Sequence, residues 1–136
     1  MIKNIFKKDE PVFFASNHCD QIVEVIHGGG DCELSCGDKP MSKLLVKNTE
    51  DIAEKHLPVI KKDKNKIIVA IGSIYHPMEE KHSIGFVYLK TKRGCQRVNL
   101  SHTDEPVVEF LLTEGDKAIA AYAFCNLHGF WKTDID

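Results

Sequence analysis

The sequence has no apolar run approaching the ~20 residues that a membrane helix needs, so no membrane span is expected. It has no surplus of either charge, with 18 basic and 20 acidic residues. That balance excludes the basic stripe of a nucleic-acid binder and the single-sign block of an interaction tail. The N-terminus, MIKNIFKKDEPVFF, has lysines but neither a sustained apolar stretch nor a small-residue cleavage site. No signal peptide is read there, and a cytoplasmic location is the expectation. An even cysteine count is also missing. Five cysteines fit a closed disulfide framework poorly, and in a reducing compartment clustered cysteines are metal ligands or free thiols. Apolar residues are not scarce: at 43% they can bury a proper core, which excludes wholesale disorder.

What is present is a β pattern. IVEVI (Ile22 to Ile26) alternates apolar and polar residues, and KIIVAIGSI (Lys66 to Ile74) is a nearly continuous β-branched run. SIGFVYLKT, CQRVNL, VVEFLLT and KAIAAYAFC follow, separated by the turn signals KRG, HTDEP and EGD. KAIAAYAFC is alanine-rich and helical by propensity, but its length and the preceding turn favour a strand. Several short strands at this spacing predict an antiparallel sandwich or barrel. The stretch KKDKNK, with Lys61, Lys62, Lys64 and Lys66, is expected to be a solvated turn. NTEDIAEKH predicts a turn of helix, capped by Asn48 or Thr49 and closed by Pro58. A boundary near Lys43 divides a glycine- and cysteine-rich unit, residues 1–43, from a strand-rich one, residues 44–136. A unit of the first size seldom folds alone without metal, disulfide or partner.

Five chemistry-bearing residues gather at predicted strand ends. EKHLP carries His56, HPMEEKH carries His76 and His82, and FCNLHGFW carries Cys125 and His128. Any one of these is weak, because a single histidine or C-x-x-H matches freely. Together they occupy positions where loops at one end of a sandwich converge. Several imidazoles with one thiolate suit iron, copper or zinc rather than magnesium or calcium. Structural zinc prefers four ligands with more sulfur. Five ligands leave one octahedral position open, as a redox iron that binds a small oxygen species requires.

EKHLP, HPMEEKH and CNLHGFW closely resemble the superoxide reductases, also called desulfoferrodoxins and neelaredoxins. HC-x-x-IVEV-x-HGGG and CG-x-x-PM resemble the desulforedoxin-like N-terminal domain of the same family. The resemblance implies an all-β chain: an immunoglobulin-like antiparallel β-sandwich preceded by a small desulforedoxin-like β domain. It implies that His56, His76, His82 and His128 are equatorial ligands of one iron and Cys125 its axial thiolate. Superoxide would bind opposite the sulfur and leave as hydrogen peroxide. Lys55 resembles the family lysine that attracts the anion, and Glu54 the family glutamate that occupies the sixth position of ferric iron. Rubredoxin or a similar small carrier would return the electron, and a homodimer is expected. A non-catalytic electron-transfer module on the same fold and a structural zinc protein are the competing readings. Ser83 and Gly85 stand where family members tend to carry bulkier residues, and Pro77, Phe130 and Trp131 are expected to pack around the site.

In two-iron relatives the small domain holds its own iron with four cysteines. Aligned on the motifs, this chain has Ser16 and Cys19 for the first pair and Ser35 and Cys36 for the second. A serine hydroxyl is a poor substitute for a soft thiolate. One iron, with the second N-terminal iron absent, is therefore expected. A mixed site using Cys32, His18 or His27 is the weaker alternative, as is a disulfide between the remaining cysteines.

Overall fold

The structure, a computed structural model, describes residues 10–28, 32–48 and 53–136, without the side chains of Ala53 and Glu54. The chain separates into two compact units that divide between Leu45 and Val46.

The first unit is built from short strands. β1 (Val12–Ser16) pairs antiparallel with β2 (Gln21–Val25), and Val12 lies opposite Val25. β3 (Ser35–Cys36) and β4 (Lys39–Pro40) form a two-residue ribbon, and β5 (Ser42–Lys43) returns to β1. Cys19, in the β1–β2 turn, and Cys36, on β3, are joined as a disulfide with Cα atoms 6.3 Å apart. Of the HGGG stretch, His27 is exposed and Gly28 adopts φ 110°, while Gly29 and Gly30 lie outside the described residues. The N-terminal residues 1–9, the capping candidate Thr49 and residues 50–52 lie outside them as well.

The second unit is a β-sandwich. β6 (Val46–Lys47) leads to α1 (Ala53–His56), a single helical turn. β7 (Pro58–Asp63), β8 (Lys66–Ile71) and β11 (Val107–Leu111) form a three-stranded sheet in the order β11-β8-β7. β9 (Ile84–Thr91), β10 (Cys95–Asn99), β12 (Ala118–Cys125) and β13 (Gly129–Asp134) join β6 in a five-stranded sheet, ordered β10-β9-β12-β13-β6. All pairs are antiparallel except β13 with β6.

The core is built by alternate burial along strands, including β8, whose sequence is a nearly continuous apolar run. On β8 every second residue, Ile67, Val69 and Ile71, is buried. They meet Val87 and Leu89 of β9, Val108 and Phe110 of β11, and Ala121 and Ala123 of β12. β12 is flanked by strands on both sides, so its alanines pack as a central strand despite their helical propensity. The other face of this sheet carries an aromatic stack: Tyr122 lies 5.1 Å from Phe130 and Phe86 5.6 Å from Phe124, ring centre to ring centre.

The lysine-rich stretch departs from expectation. Lys61 and Lys62 belong to β7, and Lys66 opens β8. The turn itself is only Lys64 and Asn65, with Lys64 at φ 58°. β7 is the edge of its sheet, and charged side chains along an edge discourage further strand pairing.

Candidate metal centre

Three stretches of the second unit bring five donor side chains to one place. α1 ends on His56. A glycine makes that approach tight: Gly72 has φ 88°, and a Cβ on it would lie 2.8 Å from the Lys55 carbonyl oxygen and collide with the Ile74 carbonyl. The Gly72 N–H donates to the Leu57 carbonyl at 3.0 Å, which ties the helix exit to the end of β8. His76 follows, its N–H bonded to the Ile71 carbonyl at 3.0 Å. The next turn is closed by reciprocal main-chain bonds between Glu79 and His82, at 2.9 and 3.1 Å. Ile84 N–H donates to the Met78 sulfur at 3.4 Å, which anchors this loop to the start of β9.

Cys125 ends β12. The β12–β9 ladder shifts register between Phe124 and Cys125, so that Cys125 pairs with Ile84. Such an irregularity re-aims a side chain at a strand end. Gly129, at φ 90°, turns the chain from His128 into β13. Asn126 joins the two loops. Its amide oxygen accepts from Ser83 N–H at 3.0 Å, and its amide nitrogen donates to the Lys81 carbonyl at 2.9 Å. His82 is thus gripped on both sides from the turn that carries Cys125 and His128.

One donor atom from each of His56, His76, His82, Cys125 and His128 lies within 4.8 Å of all the others. His56 Nε2 is 3.0 Å from His128 Nδ1, and the Cys125 sulfur is 3.7 Å from that same nitrogen. Two ligands at right angles around a first-row ion, each about 2.1 Å from it, stand about 3.0 Å apart. His76 Nε2 and His82 Nε2 are buried with no hydrogen-bond partner. Burying such nitrogens unpaired costs free energy, and an ion at the centre would satisfy both. The residues therefore fit a metal with one thiolate and four imidazole ligands.

The surroundings prepare the donors. The Pro77 carbonyl lies 2.7 Å from His76 Nδ1 and can only accept, so that nitrogen carries the proton and Nε2 keeps its lone pair for the centre. Burial holds the His76 imidazole down at about 4 against the help of that carbonyl, and the neighbouring histidines add to the effect. It is neutral at pH 7, as a ligand must be. Burial pushes the Cys125 thiol up, while the N–H groups of Leu127 and His128 and the charge of Lys47 favour the thiolate. Trp131, fully buried, stacks on His56 with ring centres 4.9 Å apart and donates from Nε1 to the His128 carbonyl at 3.1 Å.

Lys55 is exposed on α1, one residue before His56, and the side chain of Glu54 lies outside the described residues. Cys95 is a free, exposed thiol at the start of β10, and His102 lies in an exposed turn. Gly85 has ordinary space above it, with Phe124 at 3.6 Å from a Cβ. Sequence reasoning missed Asn126 and Gly72. An isolated glycine at the end of an apolar run was the available signal for Gly72, since it marks a close backbone approach. Asn126 gave none beyond its place between Cys125 and His128.

No helix among the described residues is long and apolar enough to cross a membrane. A desulfoferrodoxin family profile matches residues 48–134. A desulfoferrodoxin from Syntrophotalea carbinolica is 48% identical over 117 residues, which span 85% of this chain and 90% of that one. A superoxide reductase from Pyrococcus abyssi is 30% identical over 70% of this chain and 97% of its own. The crystal structure of the superoxide reductase from Treponema pallidum superposes with a TM-score of 0.81 at 33% identity, covering 92% of this chain and 98% of that one. Sequence and fold agree over nearly the whole length of these relatives, and the chain belongs to the desulfoferrodoxin family.

Proposed function

We propose that the protein is a superoxide reductase, which converts superoxide, one electron and two protons into hydrogen peroxide. The observation that carries this reading is the convergence of four imidazoles and one thiolate within 4.8 Å, in a chain of this family. In this reading His56, His76, His82 and His128 hold one iron by their nitrogens and Cys125 holds it by its sulfur. Bound there, iron supplies the electron and a position for a small anion.

The chain's own residues do the rest. Neutral imidazoles leave the cation's charge uncompensated, so an anion is attracted to the site. The N–H groups of Leu127 and His128 that face the Cys125 sulfur moderate the charge it donates. Lys55, an exposed cation beside His56, draws superoxide in and steadies negative charge as protons arrive from water. Glu54 would be the residue that takes the open position once the iron is ferric. A rubredoxin-like carrier returns the electron, in the cytoplasm, to a homodimer. The N-terminal unit, residues 1–43, is a desulforedoxin-like domain that holds no iron. The pairing of Cys19 with Cys36 supports this, because sulfurs tied to each other are not free as two thiolate ligands.

Protein purified from iron-replete cells should hold one iron per chain and turn blue on oxidation, through thiolate-to-ferric charge transfer. The reduced protein should consume superoxide with stoichiometric peroxide release, and Cys125→Ser should abolish the band. Zinc in place of iron, or a reduced iron protein inert towards superoxide, would refute the proposal. So would a visible band unmoved by azide or cyanide, which would leave a closed electron carrier.

A further inference from the structure

Lys47 has no counterpart in the chemistry assigned so far, yet it is built into the metal centre. β6 pairs with β13 so that Lys47 lies opposite Trp131. Its side chain, half-buried, runs over the turn between His128 and β13. The ammonium donates to the His128 carbonyl at 3.2 Å, the same carbonyl that Trp131 Nε1 reaches at 3.1 Å. It lies 5.6 Å from the centre of the Trp131 ring, which also stacks on the imidazole of His56. A Cβ on Gly129 would meet both Nζ and Cε of this lysine at 3.6 Å. One cation therefore touches the main chain of one ligand residue and the aromatic support of another.

We propose that Lys47 is the positioning cation of the metal centre: it fixes the His128 turn and Trp131, and its charge favours the ferrous state. The inference rests on the iron reading given above. The physical reason is electrostatic. Reduction lowers the positive charge of the site by one unit. A fixed cation nearby repels the more highly charged ferric form more strongly, and this raises the tendency of the iron to accept its electron. Partial burial protects the effect from salt, which would erase it at a fully exposed position. The shared His128 carbonyl gives the lysine a second task, since a turn held by two donors keeps the His128 ring in place. Lys55, on α1, is exposed, so its charge is screened more strongly.

The test is a redox titration of the iron-loaded full-length protein, followed through its visible band, in the wild type and in Lys47→Met, Lys47→Gln and Lys47→Arg. At a fixed mediator potential the ferrous-to-ferric ratio should fall about threefold or more in Lys47→Met and Lys47→Gln. Lys47→Arg, which keeps the charge and can still donate, should stay near the wild-type ratio. Lys47→Gln keeps a donor without the charge, so its loss of ratio isolates the electrostatic part. An unchanged ratio in Lys47→Met and Lys47→Gln overturns the proposal, and so does an equal fall in Lys47→Arg. If the wild type itself takes up no iron and shows no band, the functional reading fails, and this inference fails with it.

Discussion

Gly72→Ala is the substitution that tests how the fold delivers His56. Two costs are separable. The first is conformational: at φ 88° a side chain is strained, by about 1–2 kcal/mol. The second is steric, and it falls on main chain rather than on a flexible side chain. The new Cβ would lie 2.8 Å from the Lys55 carbonyl oxygen and 3.0 Å from its carbon, and it would strike the Ile74 carbonyl. Lys55 adjoins His56 and Ile74 lies two residues before His76, so relief moves α1 or the turn before His76. A total of about 2–4 kcal/mol is expected, in the range of strained core substitutions. In a chain of this size that lowers the melting temperature by about 10 °C. Gly115→Ala is the matched control. It shares the backbone strain at φ 85°, but its nearest neighbour is the mobile Arg93 guanidinium at 3.0 Å. Gly94→Ala, with open space around it and no positive φ, should be neutral or slightly stabilising. Melting curves and the rate of iron loss to a chelator would be measured for all three. The reasoning fails if Gly72→Ala matches Gly115→Ala in both, because the main-chain collision would then have no consequence.

Three further outcomes are expected. Asn126→Ala removes two side-chain bonds to the His82 loop, each contributing about 1 kcal/mol, and should speed chelator extraction of iron several-fold; Asn126→Asp should lie between, since it keeps the acceptor for Ser83 and loses the donor to Lys81. Reducing the Cys19–Cys36 bond, or Cys19→Ser, opens a loop with a sequence separation of 17 and should cost the first unit about 3 kcal/mol, read as faster proteolysis there while the visible band is unaffected. Acid should act through His76. Its folded value near 4 lies below the ordinary 6.5, so below pH 6.5 the unfolded chain binds more protons than the folded one. Stability of the metal-free protein should therefore decline from pH 6.5 down to about 4 and level off below; a flat profile over that window in denaturant titrations would contradict the placement of His76.

The five converging donor residues were legible because each sits in a short local motif whose residues are chemically distinctive. Strand positions were legible where β-branched apolar residues run together, as on β8. β7 and β13 were not, because Pro58, Lys61, Lys62, Lys132 and Asp134 dilute the apolar signal on strands that carry polar residues outward. β3 to β6 are two residues each, too short for any period to show. The Cys19–Cys36 pairing was expected only weakly. Cys19, in a turn, and Cys36, on β3, give no distance in the sequence until the short strands of this unit pair. Lys47 was invisible for the same reason: its role depends on the parallel pairing of β6 with β13.

These differences follow one physical division. What a donor atom is depends on the residue alone, so chemistry can be read from the chain. Where it points depends on contacts between segments far apart in sequence. The five donors come from three stretches, and each is fixed by a bond to a distant partner. Gly72 binds Leu57, Asn126 binds Ser83 and Lys81, and Lys47 binds His128. Every one of these anchors uses a main-chain group on at least one side, so it survives changes in neighbouring side chains. A metal site with one correct shape needs such restraint before the ion arrives, since otherwise binding must order the loops as well. The unsatisfied nitrogens of His76 and His82 show which way that restraint has been set. The sandwich holds them facing inward without partners of their own, and the anchors carry that burden so that a metal ion can relieve it.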